Sequence, residues 1–196
     1  LTFLLLLISI RCFSQVVLSM PEYNVVYRGY NNLIEVATKT RMKQKLIGLS
    51  CNGAQLIRQE QNKWRIVTQT ENDTIEITMV HLKTQKVIDR FVFKVTDLPD
   101  PTLFVGATES GGKISKLETR LFIRYDDSPL RAEFSVIGGA LMIEGDPRIF
   151  EFEGNQLGED YLESVKTIPF GTKVTINAWV IGPDRKERLI TGEYIL

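Results

Sequence analysis

Apolar and polar residues alternate with a period of two along most of this chain, and this pattern limits what it can fold into. In the segment Thr74–Val80, Ile75, Ile77 and Met79 share one side. The polar residues Thr74, Glu76 and Thr78 face the other way. Successive side chains of a β-strand point to opposite faces, so the apolar set marks one buried face. The same reading applies to Tyr23–Tyr27, Leu33–Ala37, Lys63–Thr68, Arg90–Val95, Arg120–Tyr125, Arg131–Ile137, Ala140–Glu144, Arg148–Glu153, Thr172–Ile181 and Arg188–Ile195.

Short strands separated by turn residues predict an all-β chain of sandwiches or barrels. Gly138-Gly139 predicts a two-residue hairpin, because glycine takes positive φ at little cost. Gly145-Asp146-Pro147 and Gly182-Pro183-Asp184 predict two further turns, the second of which closes a C-terminal hairpin. One short helix is predicted, over Gly158–Val165, where Tyr161, Leu162 and Val165 share a face.

Two prolines in Leu98-Pro99-Asp100-Pro101 interrupt the pattern and predict a short, semi-rigid linker. The expected organisation is therefore two consecutive small β-sandwich (Ig-like) domains, residues 15–98 and 101–196. The apolar run at the start of the chain predicts a signal peptide over residues 1–14, with cleavage before Gln15. A lipid anchor on Cys12 is the alternative, although Arg11 stands where a lipidation signal needs a small residue.

The 24 basic and 24 acidic residues cancel, which argues against nucleic acid as a main partner. Their distribution is uneven, because basic residues are in excess before the linker and acidic residues after it. Lys39, Arg41, Lys43 and Lys45 alternate, which indicates either a solvated edge strand or a docking patch. An acidic counterpart lies at Glu144, Asp146, Glu151, Glu153, Glu159, Asp160 and Glu163. Opposite charges of this kind can steer docking between two copies or onto a partner.

Four segments, at Asn24–Val36, Phe91–Pro101, Gly111–Ile114 and Gly182–Leu189, resemble in order and spacing parts of one family. This is the GldM family of gliding-motility and type IX secretion proteins. Asn24–Val36, with its Gly29-Tyr30-Asn31-Asn32 turn, resembles the start of that family's third domain. Phe91–Val95 with Leu98-Pro99-Asp100-Pro101 resembles the link into the last domain, Gly111-Gly112-Lys113-Ile114 the stretch after that link, and Gly182–Leu189 the closing hairpin. The resemblance extends from Tyr23 to Leu196 and rests on the order and spacing of these segments.

The resemblance implies an immunoglobulin-like third domain and a β-rich C-terminal domain in the periplasm. It also implies a homodimeric shaft whose last domain docks onto an outer-membrane-associated ring. Full-length members carry in addition an inner-membrane helix, a helical first domain and a second β-domain, so this sequence is expected to be a short paralogue or a fragment. Arg185 departs from the family pattern, because the closing turn usually has glycine there.

The sequence offers no pattern of residues suited to catalysis. His81 is the single histidine and is expected in a loop, so a triad or a His-based metal site would depend on it alone. Asp126-Asp127-Ser128-Pro129 is typical of a turn rather than a calcium loop. Cys51 has no neighbouring base to activate it. We therefore assign no catalytic, cofactor-binding or metal-binding residues, and no cofactor.

The aromatic residues Trp64, Phe91 and Phe93 lie on alternating strands and are expected in the core. Trp179 is the exception, since it falls opposite Val174, Ile176, Ala178 and Val180 and is expected either under the helix or at an interface. These patterns favour a non-catalytic structural or interaction protein. The resemblance implies that it is periplasmic and an assembly or accessory component of gliding or type IX secretion machinery. Its expected partners are proteins, including ring components, and a second copy in a homodimer, with no membrane span apart from the signal peptide. The alternative is a stand-alone envelope module that binds a glycan or a peptide.

Overall fold

The computed structural model describes residues 16–20, 24–38, 44–126 and 128–196. The predicted signal peptide lies outside these residues. The elements are β1 (Val16–Ser19), β2 (Val25–Tyr27), β3 (Asn32–Thr38), β4 (Ile47–Cys51), β5 (Ala54–Arg58), β6 (Lys63–Thr68), β7 (Thr74–His81), β8 (Lys86–Thr96), β9 (Thr102–Val105), β10 (Thr108–Glu109), β11 (Leu121–Arg124), β12 (Ser135–Ile143), β13 (Ile149–Glu153), α1 (Glu159–Thr167), β14 (Lys173–Ile181) and β15 (Glu187–Ile195), with a 3-10 turn at Gln44–Leu46.

Two four-stranded sheets form the first sandwich. One has the order β1-β3-β6-β5 and the other β2-β8-β7-β4. Neighbouring strands within each sheet are antiparallel, except that β2 runs parallel to β8. If β1 and β2 are counted as two halves of one first strand, this is the strand order of the immunoglobulin fold, in which the sheet ABED faces the sheet CFG. The predicted Ig-like sandwich is confirmed here.

The core of the first sandwich follows the alternation in the sequence. Ile75, Ile77 and Met79 of β7 are buried, and so are Trp64 and Phe93 on the neighbouring strands. Each side chain of this size contributes about 1.5–3 kcal/mol through removal of apolar surface from water. The aromatic residues predicted for this core therefore stabilise it rather than forming a ligand platform.

A three-stranded sheet and a four-stranded sheet form the second sandwich. Their orders are β10-β9-β11 and β13-β12-β14-β15. The inner face of the larger sheet carries Val174, Ile176, Ala178 and Val180, all fully buried. Helix α1 packs Tyr161 and Val165 into the same core, so the predicted helix is confirmed and extends to Thr167.

The hairpin predicted at Gly138-Gly139 is wrong, because β12 runs through both glycines as one strand. A β-carbon on Gly138 would lie 2.6 Å from the Phe152 carbonyl oxygen, and one on Gly139 would lie 2.0 Å from the Asn177 carbonyl oxygen. A register shift between Val136 and Gly138 adds a β-bulge at the same place. Glycine is therefore explained by close approach of the neighbouring backbones, which is its other common role in strands.

The remaining turns agree with the sequence. Gly145-Asp146-Pro147 connects β12 to β13, and Gly182-Pro183-Asp184 lies in the turn between β14 and β15. The strand predicted over Arg131–Ile137 begins only at Ser135, and it continues into the segment predicted as a separate strand at Ala140–Glu144. No helix within the described residues is long and apolar enough to cross a membrane.

Candidate interaction surface

The turn between β2 and β3 projects from the first sandwich toward the second. The buried Asn32 fixes its shape, because its Oδ1 accepts from the Tyr27 N–H at 2.7 Å and its Nδ2 donates to the Tyr27 and Tyr30 carbonyl oxygens at 2.9 and 3.0 Å. Gly29 sits at the tip with φ +66°. A β-carbon there would lie 2.6 Å from Cα of Asp184, so this turn packs directly against the turn between β14 and β15.

An ion pair anchors the second of these turns. The Arg188 guanidinium donates to both carboxylate oxygens of Asp184, at 2.5 and 3.1 Å, and the two side chains are 9% and 1% exposed. Burial opposes ionisation of Asp184, but the bonds from Arg188 and the Lys186 N–H outweigh it, so the pKa of Asp184 lies below its usual value. Bidentate geometry of this kind fixes both side chains in place.

Arg188 also holds the proline-containing linker. Its Nε lies 3.2 Å from an Asp100 carboxylate oxygen, and its Nη2 donates to the Leu98 carbonyl oxygen at 3.4 Å. The Tyr125 hydroxyl donates to the Pro99 carbonyl oxygen at 2.7 Å, and burial raises the pKa of that hydroxyl. The segment predicted as a semi-rigid linker is thus bonded to the second sandwich along its length.

A small apolar cluster and a pair of surface ion pairs complete the junction, which is the contact region between the two sandwiches. The cluster joins Tyr27, Tyr30 and Leu98 to Leu130 of the second sandwich. At the surface, Asp97 lies 3.3 Å from the Arg28 guanidinium and 2.9 Å from the Lys186 ammonium. The hydrogen bond from Lys186, assisted by Arg28, lowers the pKa of Asp97. Contacts of this kind across the junction restrict bending between the sandwiches.

The outer face of the larger sheet in the second sandwich is open and partly apolar. Trp179 on β14 and Leu189 on β15 are opposite each other and are 49% and 50% exposed. They border a shallow groove of about 710 Å³ that also contains Gly139, Asn177 and Phe152. Helix α1 packs on the other face of this sheet. The expectation that Trp179 lies under the helix is therefore wrong, and its position at an interface stays a prediction.

Two carboxylate groups beside this groove are not neutralised by a basic side chain of the described residues. Glu151 and Glu153 line it from β13, and neither has an ion-pair partner among the residues that the structure describes. Exposed aromatic side chains are enriched at binding surfaces relative to the rest of a protein's surface. The face is therefore the candidate interaction surface of the second sandwich.

The residues considered for catalysis are dispersed. His81 is the last residue of β7 rather than a loop residue, and its Nδ1 lies 3.1 Å from the Thr84 hydroxyl. Cys51 is half-buried at the end of β4, and burial, followed by the charge of Glu76, raises the pKa of its thiol. Among the described parts of the chain, no group of three or more His, Cys, Asp or Glu side chains is arranged to hold a metal ion.

The predicted charged segments are described only in part. Residues 39–43 lie outside the described residues, and Lys45 lies in the 3-10 turn rather than in a strand. Asp127 also lies outside them, while the Leu130 N–H donates to the Ser128 hydroxyl at 3.2 Å in the same segment. Of the acidic set, Asp146 is paired with Arg148 at 2.6 Å.

Little in the sequence indicates the junction. The Gly29-Tyr30 turn and the Gly182-Pro183-Asp184 turn are both recognisable, but nothing in either shows that they meet. Arg188 looks like an ordinary outward residue at the start of a strand. Its role depends on the position of Asp184 four residues earlier and of the linker about 90 residues away.

No family model and no curated protein matches this chain. Among solved structures, it is similar to protocadherin gamma B2 extracellular cadherin domains 1-5, at 10% sequence identity and a TM-score of 0.31. The match covers 92% of this chain and 39% of that chain, so this chain spans well under half of its length. This degree of similarity is too low to carry an inference about fold or function.

Proposed function

We propose that this chain is a non-catalytic structural and interaction protein of the periplasm, an assembly or accessory component of gliding-motility or type IX secretion machinery. The observation that carries the proposal is the contact between Gly29 and Asp184. These residues belong to two of the segments that resemble the GldM family, and Arg188 ties the second of them to Leu98 and Asp100 of a third. Three of the four segments that resemble the family thus lie where one sandwich packs on the other.

A fixed junction suits a protein that holds partners at a set distance. Separate domains on a flexible linker would transmit little force or orientation between their binding surfaces. Here the linker is bonded to the second sandwich through Arg188 and Tyr125. The two sandwiches then act as one spacer, and the open face around Trp179 supplies a place for a protein partner.

Co-purification from envelope fractions tests this proposal. The whole chain, tagged at its C-terminus, is expected to recover outer-membrane ring lipoproteins. Trp179→Ala is expected to reduce that recovery, because it removes the exposed aromatic side chain of the open face. Val92→Ala is the matched control, since Val92 is 66% exposed on β8 of the first sandwich. Recovery of glycan alone, or of no ring component, contradicts the proposal.

Glycan binding is a second candidate, and the groove at Trp179 favours it. Sugars stack on exposed aromatic rings, and the Asn177 and Glu151 side chains lie in the same groove to accept or donate hydrogen bonds. Titration calorimetry of the whole chain with solubilised envelope glycans tests this candidate. Heat that disappears in Trp179→Ala but persists in Val92→Ala supports it, and the absence of heat rules it out.

A further inference from the structure

Strand β13 lies at the edge of its sheet. It pairs with β12 on one side, from Met142↔Ile149 to Gly138↔Glu153, and the order β13-β12-β14-β15 leaves its other side without a partner strand among the described residues. An edge strand presents a row of unpaired N–H and C=O groups. Ile149 at its start is 63% exposed, and none of the five residues of β13 is proline or lysine.

A groove of about 440 Å³ runs between this edge strand and helix α1. Ile149, Phe150 and Glu151 of β13 form one wall, and Gly158, Asp160, Tyr161 and Glu163 form the other, at the start of α1. A groove bounded by a strand edge and a helix admits an extended chain, because the strand offers hydrogen bonds and the helix offers side chains.

The charged side chains that line the groove are mainly acidic. Glu151, Asp160 and Glu163 have no ion-pair partner within the described parts of the chain. Arg148 is the basic residue at the groove, and it is already bonded to both Asp146 carboxylate oxygens, at 2.6 and 2.9 Å, and to the Ser164 hydroxyl at 2.8 Å. The groove therefore complements a cationic occupant.

One buried group of a residue that lines the groove lacks a hydrogen bond. The side chain of Tyr161 is 1% exposed, and its hydroxyl has no partner among the described residues. Burial raises the pKa of this hydroxyl to about 12, so it stays protonated and able to donate. A buried polar atom without a partner is unusual in a native protein and indicates a position that something else satisfies.

We propose that the groove between β13 and α1 binds an extended segment of a partner protein that carries Lys or Arg at alternate positions and adds as a strand to the edge of β13. The segment's backbone pairs with the five residues of β13. Side chains two apart on a strand point to the same face, so alternate cations that face α1 reach Asp160 and Glu163 together. This inference rests on the proposed function, because it names the chemistry of a protein partner.

Fluorescence anisotropy of the whole chain with a labelled peptide tests the inference. The probe is a nine-residue peptide of alternating Thr and Lys, and two control peptides have Glu in place of Lys or N-methyl groups on alternate amides. We expect the Lys peptide to bind and the Glu peptide not to bind. The N-methylated Lys peptide keeps its charge but cannot form the ladder, so we expect at least about tenfold weaker binding. Equal binding of the two Lys peptides would overturn strand addition.

Variants of the protein locate the site. Glu163→Lys is expected to weaken binding at least about tenfold, since it places a like charge in the groove. Glu187→Lys is the matched control, because Glu187 is exposed on β15 at the far side of the sheet. Equal weakening by the two variants would mean non-specific attraction and would overturn the site.

The variant Tyr161→Phe distinguishes an effect on peptide binding from an effect on folding stability. It removes a hydroxyl that has no bond in the free protein, so the unfolding midpoint is expected to stay the same or rise. Binding of the Lys peptide is expected to weaken about fivefold, which corresponds to one lost hydrogen bond. Unchanged binding would show that the hydroxyl does not face the occupant and would count against the proposal.

Two further outcomes keep this inference distinct from the proposed function. Self-association that Glu163→Lys abolishes, without peptide binding, would assign the groove to a second copy and overturn the proposal. If the Lys peptide does not bind but ring components are still recovered, the proposed peptide site in the groove is overturned and the proposed function is not. If ring components are not recovered but the Lys peptide still binds, the proposed role in gliding or secretion machinery is overturned and the proposed peptide site stands.

Discussion

A β-carbon on Gly29 would lie 2.6 Å from Cα and 2.7 Å from Cβ of Asp184. The tip of one sandwich therefore touches the closing turn of the other without room for any side chain larger than hydrogen. Gly29 also has φ +66°, a conformation that other residues adopt at a cost. The junction between the sandwiches thus depends on glycine at this position for two separate reasons.

Gly29→Ala is expected to destabilise the chain by about 1 kcal/mol from its backbone conformation and by about 1–3 kcal/mol more from the clash with Asp184. Gly53→Ala is the matched control, because Gly53 has φ +83° but nothing within 4 Å of its added β-carbon. Urea denaturation measures both. Equal losses of unfolding free energy in the two variants would show that Gly29 and Asp184 are not in contact.

Arg188→Ala is expected to cost about 3 kcal/mol of unfolding free energy, because it leaves the Asp184 carboxylate buried without its partner. Asp97→Ala, at the surface of the same junction, is expected to cost less than about 1 kcal/mol. A double-mutant cycle of Arg188→Ala with Asp184→Ala gives the coupling between the two. A coupling near zero would mean that they do not form an ion pair.

Stability is expected to fall at acid pH. The pKa values of Asp184 and Asp97 are depressed in the folded chain, so each contributes stability above the unfolded carboxyl pKa of about 3.9. This contribution is lost as the pH falls through the lower folded pKa, so unfolding free energy stays level from pH 7 to about 5 and then drops. Urea midpoints at a series of pH values test this. Asp184→Asn should show a shallower drop, and an unchanged slope would contradict the assignment.

Arg185→Gly is expected to stabilise the chain by about 1 kcal/mol. Arg185 has φ +61° in the turn between β14 and β15, where its N–H donates to the Gly182 carbonyl oxygen at 3.0 Å. Glycine adopts this left-handed conformation without the penalty of a β-carbon. Arg185→Ala keeps the β-carbon and serves as control in thermal unfolding. Equal midpoints for the Gly and Ala variants would contradict this explanation.

Cys51 is expected to react slowly with iodoacetamide at pH 8. Burial, followed by the charge of Glu76, raises the pKa of its thiol, which lowers the fraction of reactive thiolate. Mass spectrometry should show faster alkylation in urea than in the native chain. Glu76→Gln should speed the native reaction modestly, while Glu71→Gln, on an exposed loop, should not. Native alkylation as fast as in urea would contradict the prediction.

The alternation of side chains correctly located most strands. Thr74–Val80 and Lys63–Thr68 were predicted almost to the residue, because each has one buried face and one exposed face. The pattern missed β4, in which Ile47, Gly48 and Leu49 are all buried. A strand buried on both sides has no period of two to recognise.

Glycine was the least reliable signal. At Gly138-Gly139 the sequence permits a turn or a close approach of backbones, since both require the absence of a side chain. Only the positions of Phe152 and Asn177 decide between them. The error matters for the candidate surface, because Gly139 borders the groove beside Trp179.

By itself, the sequence determined an all-β chain with one short helix and a break at Leu98-Pro99-Asp100-Pro101. It also determined that Trp179 lies on the face of its strand opposite the buried residues. These features depend on residue type and on spacing along a few neighbouring positions. The tertiary structure decided that Gly29 meets Asp184, that Arg188 holds the linker and that β13 forms a groove with α1. Such contacts join residues far apart in the chain, and local periodicity carries no information about which distant turns and edges pack together.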